Sequence, residues 1–238
     1  MVTKILIATG NPGKMQEYSE LLAGLPYELV SLKDLCITHE VEETGKTFEE
    51  NAWLKASEYA SISGLLTLAD DSGLEVDALA GQPGVRSARY GGDSCTSDED
   101  RVALLLDNMK DVPWEERGAR FQCVIAIAEP SGNNSSFPNP FAKAGSSSCP
   151  STKRGQERFL TLAGNESTLV TQAEGFVAGM IQYDAQGENG FGYDPVFYLP
   201  EYNQTAAQLP PSVKNQISHR AKAAEIAVEA LKTLNTGS

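Results

Sequence analysis

Histidine is almost missing from this chain. His39 and His219 are the only two in 238 residues, so a histidine-rich metal centre is excluded. Cysteine is scattered: Cys36, Cys95, Cys123 and Cys149 form no Cys-x-x-Cys pair. That spacing speaks against a zinc site or a disulfide framework, and isolated thiols fit a reducing compartment, so a cytoplasmic protein is expected. Positive charge is in deficit, with 19 lysines and arginines against 32 acids and a net charge of −13. No nucleic acid polymer is expected as a partner, because that binding needs a basic surface. Long apolar runs are lacking too. None approaches the roughly 18 residues of a membrane span. The opening "MVTKILIATGNPGK" passes into Gly/Pro chemistry instead of a small-residue cleavage site. Neither a membrane partner nor a signal peptide is expected.

What is present suits a globular chain. Hydrophobic residues make up 41% and charged residues 21%, enough apolar matter to bury a full core. A small anionic substrate stays open despite the acidic balance. Exposed charges are screened beyond about 8 Å at physiological salt. Within a site, a unit pair at ~4 Å is worth about 4 kcal/mol at an effective dielectric near 20. Local lysines and a metal would outweigh the distant acidic background.

Along the chain, "KILIAT" (4 to 9) reads as a buried strand, followed by "GNPGK" and a helix in which Met15, Tyr18, Leu21 and Leu22 share a face. Thr47 and Glu50 form a T-x-x-E capping box ahead of a stripe of Ala52, Trp53, Ala56 and Ala60, and Gly64 ends that helix. "LLTLA" then reads as a strand that stops at Asp70-Asp71. "ARFQCVIAIAEP" is a further strand, "STLVTQAEGFVAGMIQY" reads as two strands joined at Glu174-Gly175, and "DPVFYLP" as another. Ser218 caps a last helix with Ala223, Ile226, Ala227, Ala230 and Leu234 on its apolar face. The order predicts one α/β domain over 1–238 with a mixed sheet. Residues 131 to 167 are rich in Ser, Asn and Pro and read as an exposed insertion.

Several short motifs carry possible chemistry, each beside a plainer reading. "TGNPGK" (9 to 14) puts flexible backbone and a lysine at a helix start, which suits an anion and equally suits a turn. "EVEETG" (40 to 45) is acid-rich, as a solvated loop would be. Asn51 and Lys55 lie one turn apart, opposite the apolar stripe, where a wet helix face is the ordinary outcome. Asp70-Asp71 is better evidence, because a turn needs only one acid and two repel. A carboxylate pair suits Mg²⁺, which takes one or two carboxylates plus phosphate oxygens. "ENGFGYDP" (188 to 195) offers an aromatic to stack on a base, or a tight turn anchored in the core. "VKNQISHR" (213 to 220) groups Lys214, His219 and Arg220 at a helix start.

Taken together, "TGNPGK", "EETG", "TFEENAWLKA", "ADDSGLEVDAL", "PGVRSARY", "GFGYDPVF" and "ISHRAKA" closely resemble the inosine triphosphate pyrophosphatase family, the dITP/XTP pyrophosphatases. The motifs keep the family's order from residue 9 to residue 223. The resemblance implies a long curved mixed sheet flanked by helices, two lobes around a nucleotide cleft, and a homodimer. It implies Mg²⁺-dependent hydrolysis of ITP, dITP and XTP to the monophosphate and pyrophosphate, which cleanses the nucleotide pool.

Carried over, Asp71 matches the general base and a metal ligand, Glu43 a second metal-binding acid, and Lys55 a catalytic lysine that contacts phosphate. Thr9, Gly10, Asn11, Pro12, Gly13 and Lys14 would hold the triphosphate, with Ser72 beside them. Phe191, Gly192, Tyr193, Asp194, Lys214, His219 and Arg220 would form the base and sugar pocket. Asp70 would orient Asp71 or reach a second metal. Arg220 or His219 would donate to the C6 oxygen of hypoxanthine or xanthine, a donor that adenine leaves unsatisfied at a cost of roughly 1–3 kcal/mol. The stretch from 131 to 167 is longer than the family's pattern leads one to expect. Two other functions remain open: a non-catalytic purine nucleotide sensor, which could dispense with Glu43, Lys55 and Asp71, and a pyrophosphatase for modified pyrimidine nucleotides.

Overall fold

The computed structural model describes residues 2–130 and 167–236. Of the insertion expected at 131 to 167, all but Ser167 therefore lies outside the described residues. Seven strands form one mixed sheet in the order β2-β1-β3-β4-β5-β6-β7. They are β1 Thr3–Ile7, β2 Tyr27–Ser31, β3 Leu66–Val76, β4 Gly118–Glu129, β5 Thr168–Ile181, β6 Phe197–Leu199 and β7 Gln204–Thr205. β1 runs parallel to β2 and β3, while β6 is antiparallel to β5 and β7. The helices are α1 Pro12–Leu21, α2 Phe48–Ser63, α3 Asp98–Asn108, α4 Pro211–Ile217 and α5 His219–Thr236. The expected α/β class with a mixed sheet is thus observed. Among the described residues no helix is long and apolar enough to cross a membrane.

The chain divides into two compact units, and the division falls inside strands: between Asp70 and Asp71 in β3, Val124 and Ile125 in β4, and Ala173 and Glu174 in β5. The first unit holds β1, β2, α1 and α2. Its interior includes the fully buried Ile5, Leu6 and Ile7 of β1, Tyr18 of α1, and Ala52, Ala56 and Ala60 of α2. The small alanines follow the 3.6-residue period and turn one α2 face inward. Tyr27 reaches from β2 to donate a hydrogen bond to the Leu231 carbonyl, 2.9 Å away, near the end of α5.

The second unit packs Leu74, Val76, Leu105, Met109, Phe121, Ile181, Val196 and Phe197 into one apolar cluster. Arg117 is buried beside it, with its guanidinium spent on backbone carbonyls. Nε donates to Ile181 at 2.7 Å, and the two terminal nitrogens donate to Met109 at 2.7 Å and Gln182 at 3.0 Å. A buried cation is tolerable only with such complete hydrogen bonding. Those three bonds tie the segment after α3 to the end of β5.

Four local expectations need correction. The strand after α2 does not stop at the acid doublet but continues through it to Val76. β5 is a single strand, and Glu174-Gly175 is no turn. A Cβ on Gly175 would collide with the His219 carbonyl and the Ala223 amide, so glycine is there to let α5 lie against β5. Ile226 is 50% exposed, and the inward face of α5 is instead Ala223, Ala224, Ala227 and Leu231. Cys95 and Cys123 are free thiols as expected, whereas Cys36 is disulfide-bonded.

Candidate active site

The first group of candidate residues belongs to the first unit and starts where β1 ends. Asn11 caps α1: its side-chain oxygen accepts from the amides of Gly13 at 2.8 Å and Lys14 at 3.3 Å. Pro12, in the first turn, has no amide to satisfy and its fixed φ favours the helix start. The cap therefore uses two of the amides that could have met an anion. What remains toward a phosphate is the helix dipole, unopposed by any acid in the first turn, the open face of Gly10, where a Cβ would meet nothing within 4 Å, and the Lys14 ammonium.

Lys14 Nζ lies 2.8 Å from Asp70 Oδ2, and the Asp70 side chain is only 1% exposed. Lys55 Nζ lies 2.7 Å from Glu43 Oε1. Both lysines and both acids are buried or half-buried, so their attraction is little screened by salt. The doublet that looked repulsive in the sequence is eased in two ways. An extended strand turns consecutive side chains to opposite faces, and Asp70 has its own lysine. Asp71 is also buried, at 6%.

Asn51 reverses its expected place. It is fully buried, and its side-chain oxygen accepts from the Gly45 amide at 2.8 Å. A Cβ on Gly45 would stand 2.6 Å from that oxygen, so the acidic loop can approach α2 only with glycine here. Glu50 Oε2 adds a bond from the Lys46 amide at 2.6 Å, and its own amide donates to Thr47 Oγ1 at 3.2 Å. The expected capping box thus keeps its Thr47 half, while the Glu50 carboxylate reaches one residue further back. Together these contacts stitch the Glu43 loop onto the first turns of α2. A buried asparagine facing a glycine leaves no trace in hydrophobic periodicity, which is why it read as a wet helix face.

The second group belongs to the second unit. Lys214 Nζ is 2.6 Å from Asp194 Oδ2, with both side chains at most 10% exposed. The same oxygen accepts from the Phe191 amide at 2.9 Å. Lys214 Nζ sits 4.9 Å from the centre of the half-buried Phe191 ring and Arg220 Cζ 5.9 Å from it. Arg220 donates to Ser72 Oγ at 3.0 Å. His219 stacks on Phe121 with ring centres 4.9 Å apart. Gly192 gives its amide to Asp98 Oδ2 at 2.8 Å.

Tyr193 stands apart from its neighbours. It lies in the apolar cluster and its hydroxyl donates to the Ser87 carbonyl at 2.9 Å. Burial pushes its pKa up, partly offset by the Arg101 charge, so the phenol stays a donor. Ser87 in turn takes the Leu74 amide at 2.8 Å and donates to the Gly84 carbonyl at 2.7 Å. The "PGVRSARY" motif thus anchors β3 and the "FGYD" loop to each other. Nothing in the motif's residue types alone signals that task.

The structure brings Lys14 to Asp70, Lys55 to Glu43, and Lys214, Asp194, Phe191 and Arg220 together. In the first unit, a strand–loop–helix opening with no acid in the first helical turn and two lysines held by carboxylates suit an anion; in the second unit, an aromatic ring flanked by cations suits a planar group. The comparison with known proteins sharpens this. The Ham1 family model matches residues 5–139 and 151–230, and the chain belongs to the Ham1 family. A relative from Geobacter sulfurreducens, named dITP/XTP pyrophosphatase, is 43% identical over 222 residues, covering 93% of each chain. One of the same name from Desulforamulus reducens is 43% identical over 231 residues, covering 97% of this chain and 96% of its own. The solved Ham1 protein of Staphylococcus aureus is 35% identical, with a TM-score of 0.71 over 98% of this chain and all of that one. The resemblance drawn from the motifs is borne out.

Proposed function

We propose that this chain is a nucleoside triphosphate pyrophosphatase that hydrolyses non-standard purine nucleotides, ITP, dITP and XTP, to the monophosphate and pyrophosphate. The observation that carries the reading is the pair of lysine–carboxylate contacts, Lys14–Asp70 and Lys55–Glu43. It supports a site that handles phosphate and cation together, in a chain closely similar over nearly its whole length to relatives named dITP/XTP pyrophosphatase. All of 1–238 serves this one activity, in the cytoplasm and as a homodimer.

Among the described residues no group of three or more His, Cys, Asp or Glu side chains gathers as a metal cage. The oxygen donors of Glu43 and Asp71 fit Mg²⁺, which keeps water and phosphate oxygens and asks the protein for one or two carboxylates. Glu43 and Asp71 are the carboxylates that would hold it. When bound, the ion neutralises phosphate charge that would otherwise repel an attacking water.

The remaining work falls to the chain's own groups. Asp71 Oδ takes a proton from the attacking water as general base. Lys14 and Lys55 bind phosphate oxygens, each exchanging part of its present carboxylate contact for the substrate. Thr9 to Gly13 and Ser72 supply the rest of the phosphate cradle. Phe191 stacks on the base, Asp194 fixes Lys214, and His219 and Arg220 present donors to the C6 oxygen. Gly192 and Tyr193 set the loop on which Phe191 stands.

A triphosphate panel tests this: ITP, dITP, XTP, ATP, GTP and a modified pyrimidine triphosphate, with pyrophosphate and orthophosphate resolved as products. Pyrophosphate from the first three, and little from the others, is expected. Orthophosphate as the product, or equal turnover of ATP, would overturn it.

A further inference from the structure

Asp98 stands far in sequence from the aromatic loop, yet it holds it. One carboxylate oxygen, Oδ2, accepts from the Gly192 amide at 2.8 Å across 94 residues. The other, Oδ1, accepts from Arg101 at 2.7 Å, and Arg101 also donates to the Cys95 carbonyl at 3.3 Å. Asp98 is the first residue of α3, whose Ser97–Asp100 capping box fixes the helix start. Gly192 has φ +63 and open space where a Cβ would be, so the tight conformation of this loop is not enforced by packing at that residue. Asp194 secures the Phe191 amide from one side, and Asp98 secures the next amide along. Consecutive amides held by two carboxylates leave the backbone at Phe191 little freedom to rotate, and so fix the direction in which its side chain leaves the loop.

We infer that Asp98 is a positioning residue for nucleobase binding, acting through Gly192 on Phe191. This rests on the proposed reading of Phe191 as the stacking platform. A ring stacked on the base would make no contact with the phosphoanhydride that breaks, so loosening it would weaken ground state and transition state alike and raise KM without lowering kcat.

Three variants test this: Asp98→Ala, which removes the acceptor; Asp98→Asn, which keeps one; and Arg101→Ala, which breaks the ion pair but leaves the Gly192 bond. Asp98→Ala is expected to raise KM for ITP about tenfold, the size of one charge-assisted hydrogen bond, with kcat within about twofold. It should weaken binding of inosine monophosphate by the same factor, measured by calorimetry. Asp98→Asn and Arg101→Ala should stay within about threefold of wild type on both readouts. Exchange of the Gly192 amide, followed by NMR, should be slow in the wild type and in Asp98→Asn and fast in Asp98→Ala.

An unchanged KM in Asp98→Ala, or a fall in kcat at constant KM, overturns the proposal. So does an Arg101→Ala defect as large as that of Asp98→Ala. Should Asp98→Ala not fold, free-peptide exchange of Gly192 in the wild type would overturn it alone. If the wild type releases no pyrophosphate from ITP, the parent reading fails, whereas the exchange data still report on the Asp98–Gly192 link.

Discussion

Gly190 offers a calculation that the structure makes sharp. Its φ is +81, and a Cβ there would fall well inside contact distance of Asp194 Oδ2 and 3.1 Å from Lys214 Nζ. Gly192, two residues on, has φ +63 and nothing within 4 Å of the same imagined atom. Alanine in the left-handed region costs about 1–2 kcal/mol at either position. Only at residue 190 must it also push the Asp194 carboxylate off the lysine that holds it at 2.6 Å, an overpacking cost of about 1–3 kcal/mol. Gly190→Ala should therefore lose about 2–5 kcal/mol and Gly192→Ala about 1–2 kcal/mol. Equilibrium urea unfolding of both variants beside the wild type measures this, provided the slope with urea is unchanged. In a chain of this size each lost kcal/mol also lowers the melting temperature by about 2–4 °C. Equal midpoints for the two variants would refute the reasoning, because the clash with Asp194 would then carry no energy.

Other expectations follow from single contacts. Arg117→Met should cost about 3–5 kcal/mol by thermal or urea unfolding, since it strands the carbonyls of Ile181, Met109 and Gln182; a loss under about 1 kcal/mol would contradict it. Asn51→Ala should leave the Gly45 amide without its acceptor, cost about 1–3 kcal/mol, and reduce activity with ITP by loosening the Glu43 loop; unchanged values in both assays would count against that role. Hydrogen bonds from Thr96 and Ser97 hold the Asp100 carboxyl below its usual range. A lowered folded-state pKa gives stability that is full above the unfolded value near ~3.9 and is lost as pH falls through the folded value. The stability gap between wild type and Asp100→Asn should thus be present at neutral pH and close in acid, and a gap independent of pH would reject the link.

Much of the site was legible because its chemistry is written in local motifs. "TGNPGK" and the helix after it announce themselves by Gly, Pro and Asn at a strand–helix junction, and Asn11 does cap α1. Ser218 caps α5 as its position suggested, taking the Ala221 amide at 3.1 Å. What was hidden depends on partners distant in sequence. The acid doublet reads as a strand end, since two charges rarely continue a buried strand, and the partner that eases Asp70, Lys14, lies 56 residues away. Glu174-Gly175 reads as a turn until the backbone of α5 occupies the space a side chain would need. Asn51 reads as a wet helix face, and Asp98 and Ser87 carry no signal at all, for the same reason: each holds a backbone group of another segment, and no periodicity marks such a task. Tyr193 shares a motif with Phe191 and so an expected role in the pocket, but neighbouring positions of a tight loop point to different surroundings, one into the core and one partly outward.

The central claim is tested most directly by pyrophosphate release from ITP, measured with and without Mg²⁺, in the wild type and in Asp71→Asn. The account predicts release that requires the metal and falls by about 10²-fold or more when the base is lost. Metal-independent release, or an Asp71→Asn variant as active as the wild type, would contradict it.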